Sequence, residues 1–207
     1  MYNKLKIISA AILCCLVLTS CNDEKLAKQL EGTWRSSYVT TYDTGVKERV
    51  EQVMTFQYDG NDESKDGGTF VEELYGNAKD IELMFVDGTV DCRYHCFIRG
   101  TWSVDFGDLY LTYNVNTLEV EVNQSDVDLK LKRFTDQMNM VSYMMETWSD
   151  PRDDLIKEIQ KNIYKELFHL YKRQNTDDGA FVDLEVSETK MSYETSDIGR
   201  MKFRKVR

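Results

Sequence analysis

The segment TVDCRYHCFIRGTW, residues 89–102, decides how the chain is interpreted, because it places two cysteines and a histidine within five positions. From Val90 onward, apolar or small residues occupy every second position. Side chains alternate between the two faces of a β-strand, so this period of two predicts one long strand. In that strand Cys92 and Cys96 face inward and His95 faces away.

The same three side chains could instead form a disulfide or part of a zinc site. Four strand residues span about 13 Å, whereas the Cα atoms of disulfide partners lie within about 7 Å of each other. Cys92 and Cys96 can therefore bond to each other, or join His95 at a metal, only if the strand breaks between them. We predict an unbroken strand over 90–106 and two buried thiols without a metal. A metal or redox role is the alternative.

Further alternating runs predict that most of the chain is β-structure. Gly and Asp cluster at the breaks between these runs. Besides 90–106, strands are predicted at 46–58, 109–113, 118–122, 127–131, 182–186, 191–193 and 201–203. Short turns between consecutive strands favour a mainly β fold, an up-and-down antiparallel β-barrel of about eight to ten strands, because closure removes exposed sheet edges.

One segment departs from this pattern. Residues 151–173 carry apolar side chains with a period of 3.6, which predicts one inserted amphipathic α-helix. Asp150 is suited to cap its first turn and Pro151 to occupy its first position. Lys172 and Arg173 lie in the last turn, where positive charges interact favourably with the free carbonyl groups at the end of a helix.

The segment before this helix, MNMVSYMMETW (residues 138–148), is rich in methionine and aromatic residues. Methionine side chains adapt to irregular gaps, so packing in the core is the expected role. A lid over an apolar cavity is the alternative.

The N-terminus resembles the signal of a bacterial lipoprotein. Lys4 and Lys6 precede an apolar run of 12 residues, Ile7 to Leu18, which is shorter than the roughly 20 residues of a membrane-spanning helix. The run ends in Leu-Thr-Ser-Cys, which resembles a lipobox whose cysteine is Cys21. In lipoproteins the chain is cut before this cysteine, which is then acylated. An ordinary secretory signal is the alternative.

This resemblance, with the strand pattern, divides the chain into a signal peptide (1–20), a lipidated tether (21–29) and a barrel domain with its helical insertion (30–207). It implies that lipid on Cys21 attaches the protein to a membrane. The implied location is the bacterial cell envelope, as an outer-membrane lipoprotein. Two acidic residues that follow Cys21 are weakly similar to the surface-export signals of Bacteroides-like lipoproteins.

The chain is acidic, with 36 acidic against 26 basic residues. Removal of the signal takes away two lysines, which leaves 24 basic residues and a net charge of −12. Such a chain repels phosphate backbones, so nucleic acid is not an expected partner. The charge is spread along the sequence, which favours solubility over an interaction tail.

Two Gly-Thr-Trp tripeptides, at 32–34 and 100–102, resemble the lipocalin and wider calycin signature. In that family the first tryptophan plugs the closed end of the barrel. The second copy and a charged final segment, MKFRKV (residues 201–206), are similar to lipocalin-like lipoproteins of the Bacteroides group. The resemblance covers most of the mature chain and implies that Trp34 and Trp102 are structural plugs. The predicted helix is not part of the usual lipocalin pattern.

Barrels of about eight strands can hold one small ligand. The resemblance therefore implies a non-enzymatic, lipid-anchored domain that binds a small or apolar ligand in its barrel, without a cofactor. The alternative is an envelope interaction or structural module whose barrel is filled by its own side chains and whose partner is an envelope protein. The candidate interior residues are Trp34, Met54, Phe56, Tyr58, Tyr94, Trp102 and Phe106.

Catalytic chemistry has little support in the sequence. His95 is predicted on the outer face of a strand and His169 on a polar flank of the helix, and neither lies in a GxSxG or HExxH motif. The loop DGNDESKDGG, residues 59–68, has Asp59, Asn61 and Glu63 at the first three ligand positions of a calcium loop. Ser64 and Phe70, however, stand where an EF-hand needs Gly and Glu. We predict a hairpin connection there, no catalytic residue and no metal site.

Overall fold

The computed structural model describes residues 23–41, 47–60, 66–82, 88–131, 151–176, 180–195 and 199–206. These residues form two helices and nine β-strands. The helices are α1 (23–30) and α2 (Pro151–Gln174). The strands are β1 (Gly32–Thr41), β2 (Lys47–Tyr58), β3 (Gly67–Glu82), β4 (Gly88–Asp105), β5 (Asp108–Glu121), β6 (Val127–Leu131), β7 (Ala180–Val186), β8 (Lys190–Thr195) and β9 (Gly199–Lys205).

Eight of these strands close into an antiparallel barrel. Neighbours in sequence pair from β1 to β5 and from β7 to β9, β9 returns to β1, and β6 pairs with β4 beside the barrel. The last seam is short, because β5 pairs with β7 only at Leu109–Phe181 and Tyr110–Ala180. The predicted up-and-down antiparallel barrel is confirmed.

Strand β4 runs without interruption through both cysteines over 18 residues. It pairs with β5 along its C-terminal part and with β6 at its N-terminal end. Cys92 and Cys96 are buried free thiols on its inner face. The predicted strand is confirmed, and the chain reversal that would bring these two thiols together does not occur.

Strand β3 was not among the strands predicted from the sequence. It pairs with β2 from Tyr58–Gly68 to Lys47–Lys79 and with β4 on its other side. The two strands on either side of the predicted hairpin connection at 59–68 are therefore antiparallel neighbours, as that prediction requires, and residues 61–65 lie outside the described residues.

Strand β5 unites two segments, 109–113 and 118–122, that were predicted as separate strands. Its register with β4 shifts between Phe97 and Arg99. At the shift, the Arg99 N–H donates to the Thr117 hydroxyl at 3.0 Å. The residues of β5 between Asn114 and Glu119 that have no partner on β4 form a bulge, which bends a strand without ending it.

Helix α1 covers the end of the barrel at which β1 begins. Ala27 and Leu30 are fully buried, and the Leu30 carbonyl accepts a hydrogen bond from the Trp34 indole at 2.7 Å. The Asp23 carboxylate accepts two N–H groups of the β4–β5 turn, at 3.0 and 3.1 Å. These side chains share one helical face that packs against the barrel, so the described part of the segment predicted as a tether, 21–29, is helical.

Helix α2 lies against β5 beyond the point where β7 stops pairing with that strand. Just past the helix, the Asn175 side chain donates to the Tyr113 carbonyl at 2.7 Å and accepts the Tyr113 N–H at 2.8 Å. Near the other end, Gln160 donates to the Val120 carbonyl at 2.7 Å. These side-chain amides form the hydrogen bonds that main-chain groups of β5 would otherwise make with a neighbouring strand. The helix predicted over 151–173 is confirmed, and it seals part of the barrel wall.

The turn between β4 and β5 corrects one interior prediction. Phe106 is 69% exposed and lies past the end of β4. Asp105 pairs with Asp108, which leaves Phe106 and Gly107 as a two-residue turn with φ values of 52° and 84°. Positive φ at both positions is typical of a type I′ hairpin turn. The predicted inward position of Phe106 is wrong because side-chain alternation stops where the chain reverses.

Replacing Phe106 by Asn should stabilise the protein by about 1 kcal/mol. Asn adopts left-handed backbone more readily than an aromatic residue, and the exposed ring contributes little buried surface. Urea unfolding followed by tryptophan fluorescence measures the change. Phe106→Leu is the matched control, because it removes the ring but keeps the unfavourable conformation. Equal stabilisation by both variants would contradict a conformational origin.

Candidate functional site

The interior of the barrel next to α1 is apolar and filled by side chains. Trp34, Met54, Phe56, Phe70 and Trp102 are all buried there. The Phe56 ring lies edge-on to Trp102 with centroids 5.6 Å apart, and its centroid is 6.1 Å from that of Phe70. Edge-on and tilted aromatic pairs at these separations are favourable contacts. This end of the barrel is therefore packed with the protein's own residues.

Farther from α1, the interior becomes polar at Glu72 of β3, which is only 3% exposed. Its carboxylate accepts a hydrogen bond from the Tyr113 hydroxyl at 3.0 Å and another from the Tyr171 hydroxyl at 3.1 Å. The side chain of Gln52 is a third hydrogen-bond partner. We call Glu72, Gln52, Tyr113 and Tyr171 the Glu72 cluster. It joins three strands and helix α2 at the centre of the molecule.

The electrostatics of the Glu72 cluster follow from its burial. Removal from water raises the pKa of Glu72, and the hydrogen bonds from Tyr113, Tyr171 and Gln52 offset this only in part. Burial and the nearby carboxyl group also raise the pKa of both tyrosines well above the usual range. The tyrosines therefore stay neutral donors. The cluster is suited to hold a proton and a set of hydrogen bonds.

Polar residues continue along the interior wall beyond Glu72. Glu48 is 3% exposed and Ser36 is 7% exposed. Burial, followed by the charges of Glu72 and Glu48, raises the pKa of Tyr38 above its usual range. This part of the wall is chemically distinct from the aromatic end beside α1.

The seven predicted interior residues differ in their placement. Trp34, Met54, Phe56 and Trp102 are buried, Tyr58 and Tyr94 are partly buried, and Phe106 is exposed. The Tyr94 ring occupies the space that a Cβ atom on Gly76 would fill, so the glycine makes room for it across the strand pair. The signal segment 1–20, Cys21 and the Met-rich segment 138–148 lie outside the described residues.

The Glu72 cluster was not found from the sequence, because β3 was not recognised as a strand. A signal was present: Phe70, Leu74 and Ala78 share a face with Glu72. An acid within an apolar stripe indicates a buried polar group that needs partners. Tyr171 lies within the predicted helix, but local periodicity does not identify the group that its hydroxyl contacts.

Neither histidine lies in the barrel interior. His95 is on the outer face of β4, where its ring stacks on Tyr75 at 4.7 Å and contacts Glu73 at 3.1 Å. His169 is exposed on α2. Within the described ranges, no group of three or more His, Cys, Asp or Glu side chains is arranged to hold a metal ion. The described helices also include none that is long and apolar enough to cross a membrane.

Comparisons with known proteins give no assignment for this site. No protein-family model matches the chain, and no curated protein matches its sequence. The closed eight-stranded barrel is consistent with a lipocalin-like fold. Interpretation of the interior therefore depends on its own geometry.

The stability of the Glu72→Gln variant relative to that of the wild type should increase as pH rises. The folded pKa of Glu72 is raised, so its contribution to stability is present below the unfolded pKa and is lost as pH rises through the folded pKa. The variant has no such loss. Its free energy of unfolding relative to the wild type should increase by about 1.4 kcal/mol for each unit by which the pKa is raised.

Urea unfolding at a series of pH values between about 4 and 9 measures this difference. Glu119→Gln is the control, because Glu119 is exposed on the outer face of β5. Its difference from the wild type should stay nearly constant over the same range. A difference for Glu72→Gln that is equally flat would show that burial does not perturb this carboxyl group.

Both cysteines should resist alkylation in the native protein. Burial raises the pKa of Cys92 to about 11 and that of Cys96 to about 12, and the thiolate is the reactive form. Iodoacetamide near pH 8 should label them only after unfolding, as read for each cysteine by peptide mass spectrometry. Val39→Cys, at a 60% exposed position, provides a thiol that should react in the native state. Prompt native labelling of Cys92 and Cys96 would contradict their inward placement.

Proposed function

We propose that this protein is a non-enzymatic, lipid-anchored, lipocalin-like barrel of the bacterial outer membrane, whose interior is filled by its own side chains and whose outer surface binds its partner. The Glu72 cluster carries this proposal. In a ligand-binding barrel, the central space is left for the ligand. Here helix α2 inserts Tyr171 into that space, where its hydroxyl contacts Glu72 and its ring lies 4.6 Å from that of Tyr113.

Packing on the opposite wall supports the same interpretation. Tyr193 and Phe203 are almost fully buried, with ring centroids 5.3 Å apart, and Phe181 lies 4.9 Å from Tyr193. The Tyr193 hydroxyl contacts the Met54 sulfur at 3.7 Å across the interior. Aromatic side chains from both walls thus meet inside the barrel.

The lipid anchor is proposed from the sequence that ends at Cys21, and the position of α1 is consistent with it. Asp23 is hydrogen-bonded to the turn between β4 and β5, only two residues after Cys21. Two or more acyl chains are enough for stable membrane attachment. Lipid on Cys21 would therefore hold the α1 end of the barrel close to the membrane surface.

A small ligand in the barrel is the second candidate function. The buried polar residues Ser36 and Glu48, which are 7% and 3% exposed and lie outside the Glu72 cluster, favour it. A molecule bound beside them would need hydrogen-bond donors, because buried polar groups require partners. A wholly apolar ligand would not provide them.

Native mass spectrometry of protein purified from membranes of its own host tests both candidates. We expect a chain that begins at Cys21, with acyl groups on that residue and no retained small molecule. Cys21→Ser is the matched comparison and should yield unacylated protein that leaves the membrane fraction. An unacylated wild-type chain would contradict the anchor. A ligand retained in both proteins would contradict the self-filled barrel and favour the second candidate.

A further inference from the structure

A groove of about 640 Å³ lies along strands β7, β8 and β9. Its exposed rim is basic: Lys190, Lys202 and Arg204 are exposed, and Arg200 is partly exposed. Glu185 is the acidic residue that lines it. Buried neighbours on these strands face the barrel interior, so the basic side chains lie on the outer face. A basic groove is notable in a chain in which acidic residues outnumber basic ones by 36 to 26.

The cations of this groove are aligned by strand register. Arg204 of β9 is directly opposite Lys190 of β8. On its other side Arg204 is opposite Arg35 of β1, which does not line the groove and is ion-paired with Glu51 at 3.2 Å. Lys202 lies two residues from Arg204 and therefore projects from the same face. Like charges placed directly opposite one another destabilise a sheet. An anion bound beside Lys190 and Arg204 would reduce the repulsion between these two side chains.

Three of these cations are available to a ligand. Arg200 is already bound to Glu185 at 2.7 Å and to Glu194 at 3.5 Å. Among the residues that the structure describes, Lys190, Lys202 and Arg204 have no ion-pair partner. The groove therefore keeps a local positive charge after its own acids are paired.

We propose that this groove is a phosphate-binding site in which Lys190, Lys202 and Arg204 hold the anion. Adjacent strands are about 4.8 Å apart and alternate residues of one strand about 6.6 Å apart, so the three long side chains start close enough together to reach one phosphate group. The Arg204 guanidinium offers the paired N–H donors that suit phosphate oxygens, and the lysines add charge without fixed geometry.

This inference rests on one part of the proposed function, namely that the outer surface of the barrel binds a partner. It adds that the partner carries a phosphate group. It does not require lipid on Cys21. Phosphate can come from a soluble phosphorylated molecule or from a lipid headgroup, and both present the same oxygens to the groove. Screening by salt should weaken either interaction, since the site is exposed.

The test uses the full chain in a non-ionic detergent, titrated with pyrophosphate and, separately, with short-chain phosphatidic acid. Two-dimensional NMR should show amide shifts at 187–192 and 200–204. The double variant Lys190→Gln/Arg204→Gln should weaken binding of the probes about tenfold or more. The control is Lys47→Gln/Lys79→Gln, which removes two equally exposed cations that are also directly opposite on paired strands. It should change the affinity less than about twofold.

Each outcome has a definite meaning. Tighter binding of pyrophosphate assigns the groove to soluble phosphates, and tighter binding of phosphatidic acid assigns it to lipid headgroups. Absence of shifts with both probes, or an equal loss in the control variant, overturns the proposal. If the double variant unfolds, the exposed single change Lys202→Gln replaces it and should weaken binding several-fold. A ligand retained in the barrel beside normal phosphate binding would overturn only the self-filled barrel.

Discussion

The structure depends on how the seam between β5 and β7 is closed. Two residue pairs join these strands, whereas the other barrel strands from β1 to β5 pair over much of their length. An open edge would leave main-chain groups of β5 without partners inside a closed fold. Side-chain amides of Gln160 and Asn175 take their place. Helix α2 is therefore a wall element of the barrel as well as an insertion into its sequence.

The same helix supplies the partner of the buried acid. An isolated carboxyl group inside a protein is costly, and hydrogen bonds reduce that cost. Glu72 obtains two of its bonds from Tyr113, on the strand that α2 covers, and from Tyr171, on α2 itself. Closure of the seam and solvation of Glu72 thus depend on one another. Incorrect placement of the helix would leave both β5 and Glu72 unsatisfied.

These two constraints separate the inner and outer surfaces by chemistry. Inside, buried aromatic residues lie at the α1 end of the barrel and the Glu72 cluster lies beyond them. Outside, the register of β1, β9 and β8 brings Arg35, Arg204 and Lys190 into one row. The first arrangement is the basis for proposing a self-filled barrel, and the second places positive charge on one face of an acidic protein. Both support a protein that recognises its partner on the outer wall.

Local periodicity was enough to predict the unbroken strand through Cys92 and Cys96, the helix over 151–173 and the antiparallel barrel. It failed at Phe106, because alternation does not reveal where a chain reverses. Only the tertiary structure joined Glu72 to Tyr171, which are 99 residues apart. Periodicity indicates which face of a strand or helix is buried, because each buried position by itself favours an apolar residue. Strand register and the partner of a buried acid depend on distant segments, so only the assembled barrel determined them.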